Sequence, residues 1–469
     1  MRDPTVNSPL LASVHAEPDD DTARLVLADW LQEHGDPARA EFIRVQIAQM
    51  QLDREDPRQH ALRDRESALL KAHERRWRAH LPDWARKLGT FHRGFIDKVT
   101  VPAEQFLARG AELLGCLPLG SVQLEHAGPH APALAACAWL GRVSGLNVRY
   151  DEGMTDDDFA ALVASPHLGR LKRLDLSIGA CGDRALRALA ANPVLSGLEE
   201  LTLYSCAVTA PGVAVLVGSP VVANLRRLDL NSNPLGDDGA AAVARSPHLG
   251  RLRSLEMGAN RLGDAGARAL AGAPALAGLR RLELWMNHIG PEGIRALARA
   301  PHLGPLGYLN LDANALGDAG AEALAACPRL GELLILSLQQ CGIGADGARR
   351  LAESPALGNL VRLALNENPI GPAGAGALAA RHWPALCWLG LHNTSLHDEG
   401  VAALVRSPLA AQLQCLGLRN NRLGEPSGQA LLSWPDPSPL RALLVSANCF
   451  VPATRKALKK RFEKVIFLS

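Results

Sequence analysis

The sequence predicts an α/β solenoid, with a curved parallel sheet inside, helices outside and a small all-helical unit ahead of both. Three observations carry this. Eleven times between Leu171 and Val445 the chain repeats one phrase: leucine, two residues, leucine, one residue, then leucine or another apolar residue. The phrase begins at Leu171, Leu198, Leu225, Leu252, Leu279, Leu306, Leu333, Leu360, Leu386, Leu413 and Leu440, a step of 27 residues broken once by 26. A fixed period of that length marks stacked, near-identical units. Ahead of the array, residues 8–52 lack the phrase and show three capped helical runs instead.

In chain order, the helical unit is read at 1–52. Ser8-Pro9 opens a helix from Leu10 to Ala16. Pro18-Asp19-Asp20-Asp21 opens a second, with Leu25, Leu27, Ala28 and Leu31 on its face and Trp30 near it, ending before Gly35. Asp36-Pro37 opens a third carrying Phe42, Ile43, Ile47 and Met50. A cap or Pro in each first turn, with Gly35 after a helix end, supports this division. The stretch PDDDTARLVLADWLQEHGDPARAEFIRVQ closely resembles the repeat-companion domain of bacterial proteins that carry leucine-rich or other repeats. That resemblance covers roughly 45 residues and implies a context, not a reaction. Residues 53–90 read as one charged helix broken near Pro82, its mixed charges forming a solvated face.

The array is expected over 91–469. In the repeat from Leu225 to Gly250, Leu228 and Leu230 face the core from a short strand, while Arg227, Asp229 and Asn231 face the other way. Asn233 ends the strand. Its slot recurs as Asn260, Asn287, Asn314, Asn368, Asn421 and Asn448, with Cys206 and Cys341 in two others. A turning backbone leaves N–H and C=O groups in need of partners, and an amide supplies both donor and acceptor. Gly236-Asp237 then opens an Ala-rich helix, where a carboxylate suits the helix N-terminus. Asp264 and Asp318, or Pro291 and Pro372, take that place elsewhere. Gly239 recurs as Gly212, Gly266, Gly293, Gly320, Gly347, Gly374 and Gly400, a residue without Cβ that lets the helix sit close to the strand. Val243, Leu270, Leu297, Leu324, Leu351, Leu378 and Leu404 supply the apolar helix face.

Strands stack roughly 4.8 Å apart and helices about 8–10 Å, so the stack bends with the sheet inside. The whole pattern resembles the ribonuclease-inhibitor class of leucine-rich repeats. Shorter-spaced copies at Ile96, Val99 and Val101, at Leu119, Val122 and Leu124, and at Val143, Leu146 and Val148 read as capping repeats. The tail reads as a last helix and a closing strand from Lys464 to Leu468.

Net charge is +2, which excludes a global field for nucleic acid. The nine cysteines are scattered singly with no CxxC, which argues against zinc and dithiol motifs, and Cys206 and Cys341 are expected reduced in the core. No apolar leader or span of about 18 apolar residues occurs, so no membrane partner and a cytoplasmic location are expected. No Walker A loop, Rossmann fingerprint, HExxH or GxSxG is present. Asp156-Asp157-Asp158 and Asp19-Asp20-Asp21 read as caps; His167, His248 and His302 recur at helix ends. His126 and His130 make a weak ligand pair, and the basic tail (Arg455, Lys456, Lys459, Lys460, Arg461 and Lys464) a soluble terminal face. No enzyme, cofactor or metal is expected.

The strand positions between the leucines form three columns. The first includes Arg227, Arg281, Tyr308 and Trp388. The second includes Asp229, Glu256 and Glu283, acidic early and small and neutral late. The third includes Tyr204 and Trp285. Aromatics make up only 4% of the chain, so their gathering on one face points to a protein partner. Tyr204, Arg227, Asp229, Glu256, Arg281, Glu283, Trp285, Tyr308 and Trp388 are the expected contact residues, a reading favoured over one in which Arg227 and Arg281 only balance Asp229, Glu256 and Glu283. A second expectation, by analogy with the Ran GTPase-activating proteins of this repeat class, is a regulator of a nucleotide-hydrolysing partner. Those proteins end in an acidic tail, whereas this chain ends basic.

Overall fold

The computed structural model describes residues 9–16, 21–51, 58–117, 119–148, 153–435, 439–462 and 464–466. The chain divides into two compact units between Thr202 and Leu203. The expected caps at Ser8 and at 18–20, and the end of the closing strand at 467–468, lie outside the described residues.

The first unit opens with helices α1 (Pro9–Ala16), α2 (Asp21–Glu33), α3 (Pro37–Gln51) and α4 (Arg58–Trp77). Strands β1 (Thr90–His92) and β2 (Phe95–Pro102) follow, then α5 (Ala103–Cys116), β3 (Ser121–Glu125) and α6 (Ala131–Ala135). It closes with β4 (Gly145–Asn147), α7 (Asp156–Val163), β5 (Arg173–Asp175), α8 (Gly182–Ala191) and β6 (Glu200–Thr202). From β2 onward the strands pair in parallel, in chain order. β1 is antiparallel to β2 and was not foreseen. Its turn, Arg93-Gly94, has both residues at positive φ (48° and 86°), as a tight hairpin requires. A Cβ at Gly94 would stand 2.1 Å from the Ile43 side chain, so glycine also lets α3 close on the turn.

Val14, Leu27, Leu31, Ile43 and Ile47 form one apolar cluster with Phe95, so the helices share their core with β2. Arg24, fully buried, donates to the Arg93 carbonyl at 3.0 Å and to Asp97 at 3.3 Å across that junction. Met50, expected on the apolar face, is exposed. The charged connector departs from its expected solvated role. Leu69 and Trp77 are buried against Phe42, and Arg65 pairs bidentately with Glu41 at 2.6 Å. Few apolar residues mark that face because ion pairs with α3 do part of the holding.

The second unit repeats helix and strand: α9 (Ala210–Val217), β7 (Arg227–Asp229), α10 (Gly236–Arg245), β8 (Ser254–Glu256), α11 (Asp264–Ala271) and β9 (Arg281–Glu283). Next come α12 (Pro291–Ala298), β10 (Tyr308–Asn310), α13 (Gly317–Ala325), β11 (Ile335–Ser337), α14 (Ala345–Glu353) and β12 (Arg362–Ala364). The last are α15 (Gly371–Ala380), β13 (Trp388–Gly390), α16 (His397–Val405), β14 (Cys415–Gly417), α17 (Glu425–Leu432), β15 (Ala442–Leu444), α18 (Pro452–Arg461) and β16 (Lys464–Ile466). Strands β7 to β16 are parallel neighbours in chain order. Strand leucines (Leu282, Leu309) and helix leucines (Leu297, Leu324) line one apolar cavity of about 20 Å³, which places the core between sheet and helices.

The slot residues behave as their chemistry demands. Asn287 Nδ2 donates to the carbonyls of Met257 and Leu284, both at 2.9 Å, and its Oδ1 accepts from Asn260 N and Leu262 N at 3.0 Å. One amide thus serves two repeats. Cys341 replaces the donor half, with Sγ 3.3 Å from the Leu311 carbonyl, but offers no oxygen. Thr394, not foreseen in this series, does likewise through Oγ1 to Leu391.

The loops facing these two residues change shape. Leu316 and Ile370 turn their N–H groups back to Asn314 and Asn368, and Gly317 and Gly371 take positive φ. The loop at Asn233 adopts the same form, with Gly236 at φ 58°. Here Pro234 follows the slot, as Pro369 does in the Asn368 loop. Where the other form occurs, as at Arg261 and Arg422, the residue after the slot has φ near +60°, which proline cannot reach. Consequently Asn260 Oδ1, facing that loop, is buried without a partner.

Two expectations about the helix starts are corrected. Asp237 does not cap its own helix: its Oδ1 accepts from Gly263 N and Gly266 N of the next repeat at 2.7 and 2.8 Å. Asp264 and Asp318 do the same one and three repeats on. The recurrent glycine therefore makes room for that carboxylate rather than for the strand. A Cβ at Gly266 would stand 2.6 Å from Asp237 Oδ1, and at Gly347 2.5 Å from Asp318 Oδ1. At Gly239 and Gly320 the obstacle is the leucine opening the same helix, Leu235 or Leu316.

Candidate strand-face site

Parallel pairing without register shift puts Arg227, Ser254, Arg281, Tyr308, Ile335, Arg362, Trp388 and Cys415 in one row. Asp229, Glu256, Glu283, Asn310 and Ser337 form the next. These side chains point away from the buried leucines, so the columns read from the sequence exist as surfaces.

Over β7 to β9 the surface neutralises itself. Arg227 grips Glu256 bidentately, Nε to Oε1 at 2.7 Å and Nη2 to Oε2 at 2.9 Å. Ser254 adds a bond to Oε1 at 3.1 Å. Asp229 and Glu256 are only 6% and 5% exposed, far less than an open acidic column implies. Burial, then the neighbouring Glu256 charge, raises the Asp229 carboxyl to about 7. Burial acts to raise Glu256 too, but the hydrogen bonds and charge of Arg227 outweigh it and hold Glu256 below its usual range. Arg281 pairs with Glu283, Nε to Oε1 at 2.9 Å, and lies 3.5 Å over the Tyr308 ring. Burial, then Glu283, raises the Tyr308 phenol.

The aromatics are half-buried. Trp285 leans toward β8, where a Cβ at Gly258 would come within 2.3 Å of its ring. Tyr308 instead sits with Arg281, so the two rings turn to different neighbours. Tyr204 and Trp388 occupy the face at their own rows, Trp388 with Arg362 4.6 Å above its ring.

Sequence reading passed over the third column's linkage. Asp312 Oδ1 accepts from Gln339 N at 2.7 Å, Asn366 Oδ1 from His392 N at 2.8 Å, and His392 Nδ1 from Arg419 N at 3.0 Å. Each side chain holds the next strand's end. Burial, then Arg419, lowers His392 to about 4. The signal was available, since short polar residues recur at that column, but their variety hid it.

Among the described residues no group of three or more His, Cys, Asp or Glu is placed to hold a metal, and no helix is long and apolar enough to cross a membrane. Cys206 and Cys341 are buried thiols, and burial pushes Cys341 to about 12.

The profile of the leucine-rich repeat family matches residues 223–244, 252–271, 279–298, 306–325 and 359–379. The chain carries leucine-rich repeats over those residues. Among solved structures it is similar to an internalin of Listeria monocytogenes at 20% identity, over 71% of this chain and 83% of that one, with a TM-score of 0.47. It is also similar to a leucine-rich repeat protein of Leptospira interrogans at 18% identity, over 75% and 90%, with a TM-score of 0.40. No curated protein matches.

Proposed function

We propose that the chain is a non-catalytic protein-interaction scaffold that binds a protein partner on its strand face, the concave side of the bend expected from the repeat spacing. The carrying observation is that Tyr308 and Trp388 stand half-buried on that face, each under an arginine. Such aromatic and arginine anchors dominate protein interfaces. Tyr204, Arg227, Arg281, Glu283 and Trp285 extend the contact. Asp229 and Glu256 act through Arg227, whose guanidinium they hold in place. We further assign residues 1–52 to a repeat-companion module, 53–90 to a connector and 91–469 to the array, in a bacterial, cytoplasmic protein without cofactor.

The test is capture of a partner by the intact chain, followed by the same capture with Trp285→Ala and Tyr308→Ala combined. The melt should stay nearly unchanged, while truncating a buried interface aromatic costs about 2 kcal/mol or more of binding. Capture that survives the double variant, with the fold intact, rules the site out.

A further inference from the structure

The position just after each repeat's first leucine is arginine immediately ahead of β7, β8 and β9, as Arg226, Arg253 and Arg280. Ahead of β10 to β14 it is uncharged, as Gly307, Leu334, Val361, Cys387 and Gln414. Those later strands pair in the same parallel register, so joining the repeats does not require a cation there.

Arg253 and Arg280 are exposed, yet both are anchored, and in the same way. Arg253 Nη1 donates to the Gly278 carbonyl at 3.0 Å and to the Leu252 carbonyl at 3.3 Å. Arg280 Nη1 donates to the Pro305 carbonyl at 3.2 Å and to the Leu279 carbonyl at 3.5 Å. Gly278 gives the first guanidinium its seat, since a Cβ there would stand 1.8 Å from Arg253 Nη1. These bonds all come from Nη1, which leaves the Nε–Nη2 edge of each guanidinium open. Glu256 and Glu283, on the strands that follow, are held by Arg227 and Arg281 instead.

The two open edges come from neighbouring strands, because Arg280 N donates to the Arg253 carbonyl at 2.8 Å. Like anchors one repeat apart set the guanidiniums about one strand spacing apart, roughly 4.8 Å, widening toward the helices. A carboxylate is satisfied by one guanidinium, whose fork matches its two oxygens. A phosphoryl group carries roughly −1.5 to −2 charge and three strong acceptor oxygens, so it calls for both cations. Charge-assisted bonds of about 2.8 Å on either side let one such group bridge the two forks. Nucleic acid fits less well, since it is held by many phosphate contacts and the row turns neutral after Arg280.

We propose that Arg253 and Arg280 receive one phosphoryl group carried by the protein partner, on a phosphorylated side chain laid against the strand-entry edge. This rests on the strand-face reading for the partner being a protein, and adds a modification that the partner carries.

The probe is a fluorescein-labelled peptide with phosphoserine at its centre and Gly and Ser around it, titrated against the full chain by anisotropy. Binding should be saturable and at least about fivefold tighter than for the same peptide with Glu or unmodified Ser at the centre. Arg253→Met and Arg280→Met should each weaken it about tenfold. Gly278→Ala keeps both charges but displaces the Arg253 guanidinium, and should also weaken binding. Arg251→Met lies on the same edge, but that guanidinium turns back to Asn224. Its loss should change binding by less than about twofold. Melts check that each variant folds. No saturable binding, equal binding of the Glu peptide, native affinity in Gly278→Ala, or a loss in Arg251→Met as large as in Arg253→Met would each overturn the proposal. So would tighter binding of a thymidine decamer. The double variant at Trp285 and Tyr308 should bind the phosphopeptide as the native chain does, so failure of this site and failure of the strand-face site read out separately.

Discussion

The turn slots and the strand faces of the second unit recur with the same period yet follow different rules. At the slots, Asn260, Asn287, Asn314 and their equivalents sit among backbone groups cut off from water, and nearly one residue type serves throughout. On the faces, water can satisfy what side chains do not, and the rows run from Arg227 through Tyr308 to Cys415. A buried backbone problem selects a side chain by its hydrogen-bonding atoms, whereas an exposed row is free to vary and so to acquire a specificity. The slots also show the limit of that rule. Where the facing loop turns back on itself, the oxygen is superfluous, and Cys341 and Thr394 are accepted.

The largest expected effect is at a fully used slot. Asn287→Leu strands the N–H groups of Asn260 and Leu262 and the Met257 carbonyl, while Leu284 keeps its bond from Asn314; at about 1–3 kcal/mol each, this amounts to several kcal/mol in urea melts. Asn310→Leu, on the face, loses one bond to Asp312 N at 2.9 Å and should cost only about 1 kcal/mol. Within the ladder, Asn260→Thr should cost much less than Asn287→Thr, because Asn260 Oδ1 has no partner to lose. Equal losses at 260 and 287 would show that Pro234 does not set the loop.

A middle-sized effect separates the two halves of the face. Arg227→Met leaves Glu256 and Asp229 buried without their cation. Because Arg227 itself is 40% exposed, the cost should be about 1–3 kcal/mol rather than that of a wholly buried pair. Arg419→Met breaks no ion pair and should stay within about ±0.5 kcal/mol. A large loss at Arg419 would show that its guanidinium helps to hold the strand face.

This split also explains what could be read in advance. The repeat phrase located every parallel strand from β5 to β15, because burying strand leucines and turning the backbone leave little choice of residue. Even the looser phrases found β2, β3 and β4. The hairpin β1 escaped because its signal is two backbone angles at Arg93-Gly94. Asp237 was assigned to the wrong helix because sequence adjacency says nothing about which repeat a side chain reaches into. On the face, the columns were legible but the exposure was not. Asp229 and Glu256 read as an open acidic row, and only the fold brings Arg227 over them.

The smallest expected effect in the native chain is its pH response, and it can be divided. Asp229 has a folded value of about 7, above its ordinary 3.8. Between about pH 4 and 7 the folded state holds a proton that the unfolded state has lost, so this group weakens the fold as pH rises. His392 has a folded value of about 4, below its ordinary 6.5. Over nearly the same window the unfolded state binds the extra proton, so this group weakens the fold as pH falls. Each slope is at most about 1.4 kcal/mol per pH unit, and the two oppose each other. Glu256, held low, adds to the His392 sense only at the acid end. The native chain should therefore give a nearly flat stability profile between about pH 4.5 and 6.5. Asp229→Asn should expose a fold that strengthens with rising pH, and His392→Gln one that weakens. Urea melts in half-unit steps read both slopes. If the two variants tilt the same way, one of the two groups does not titrate as its surroundings dictate.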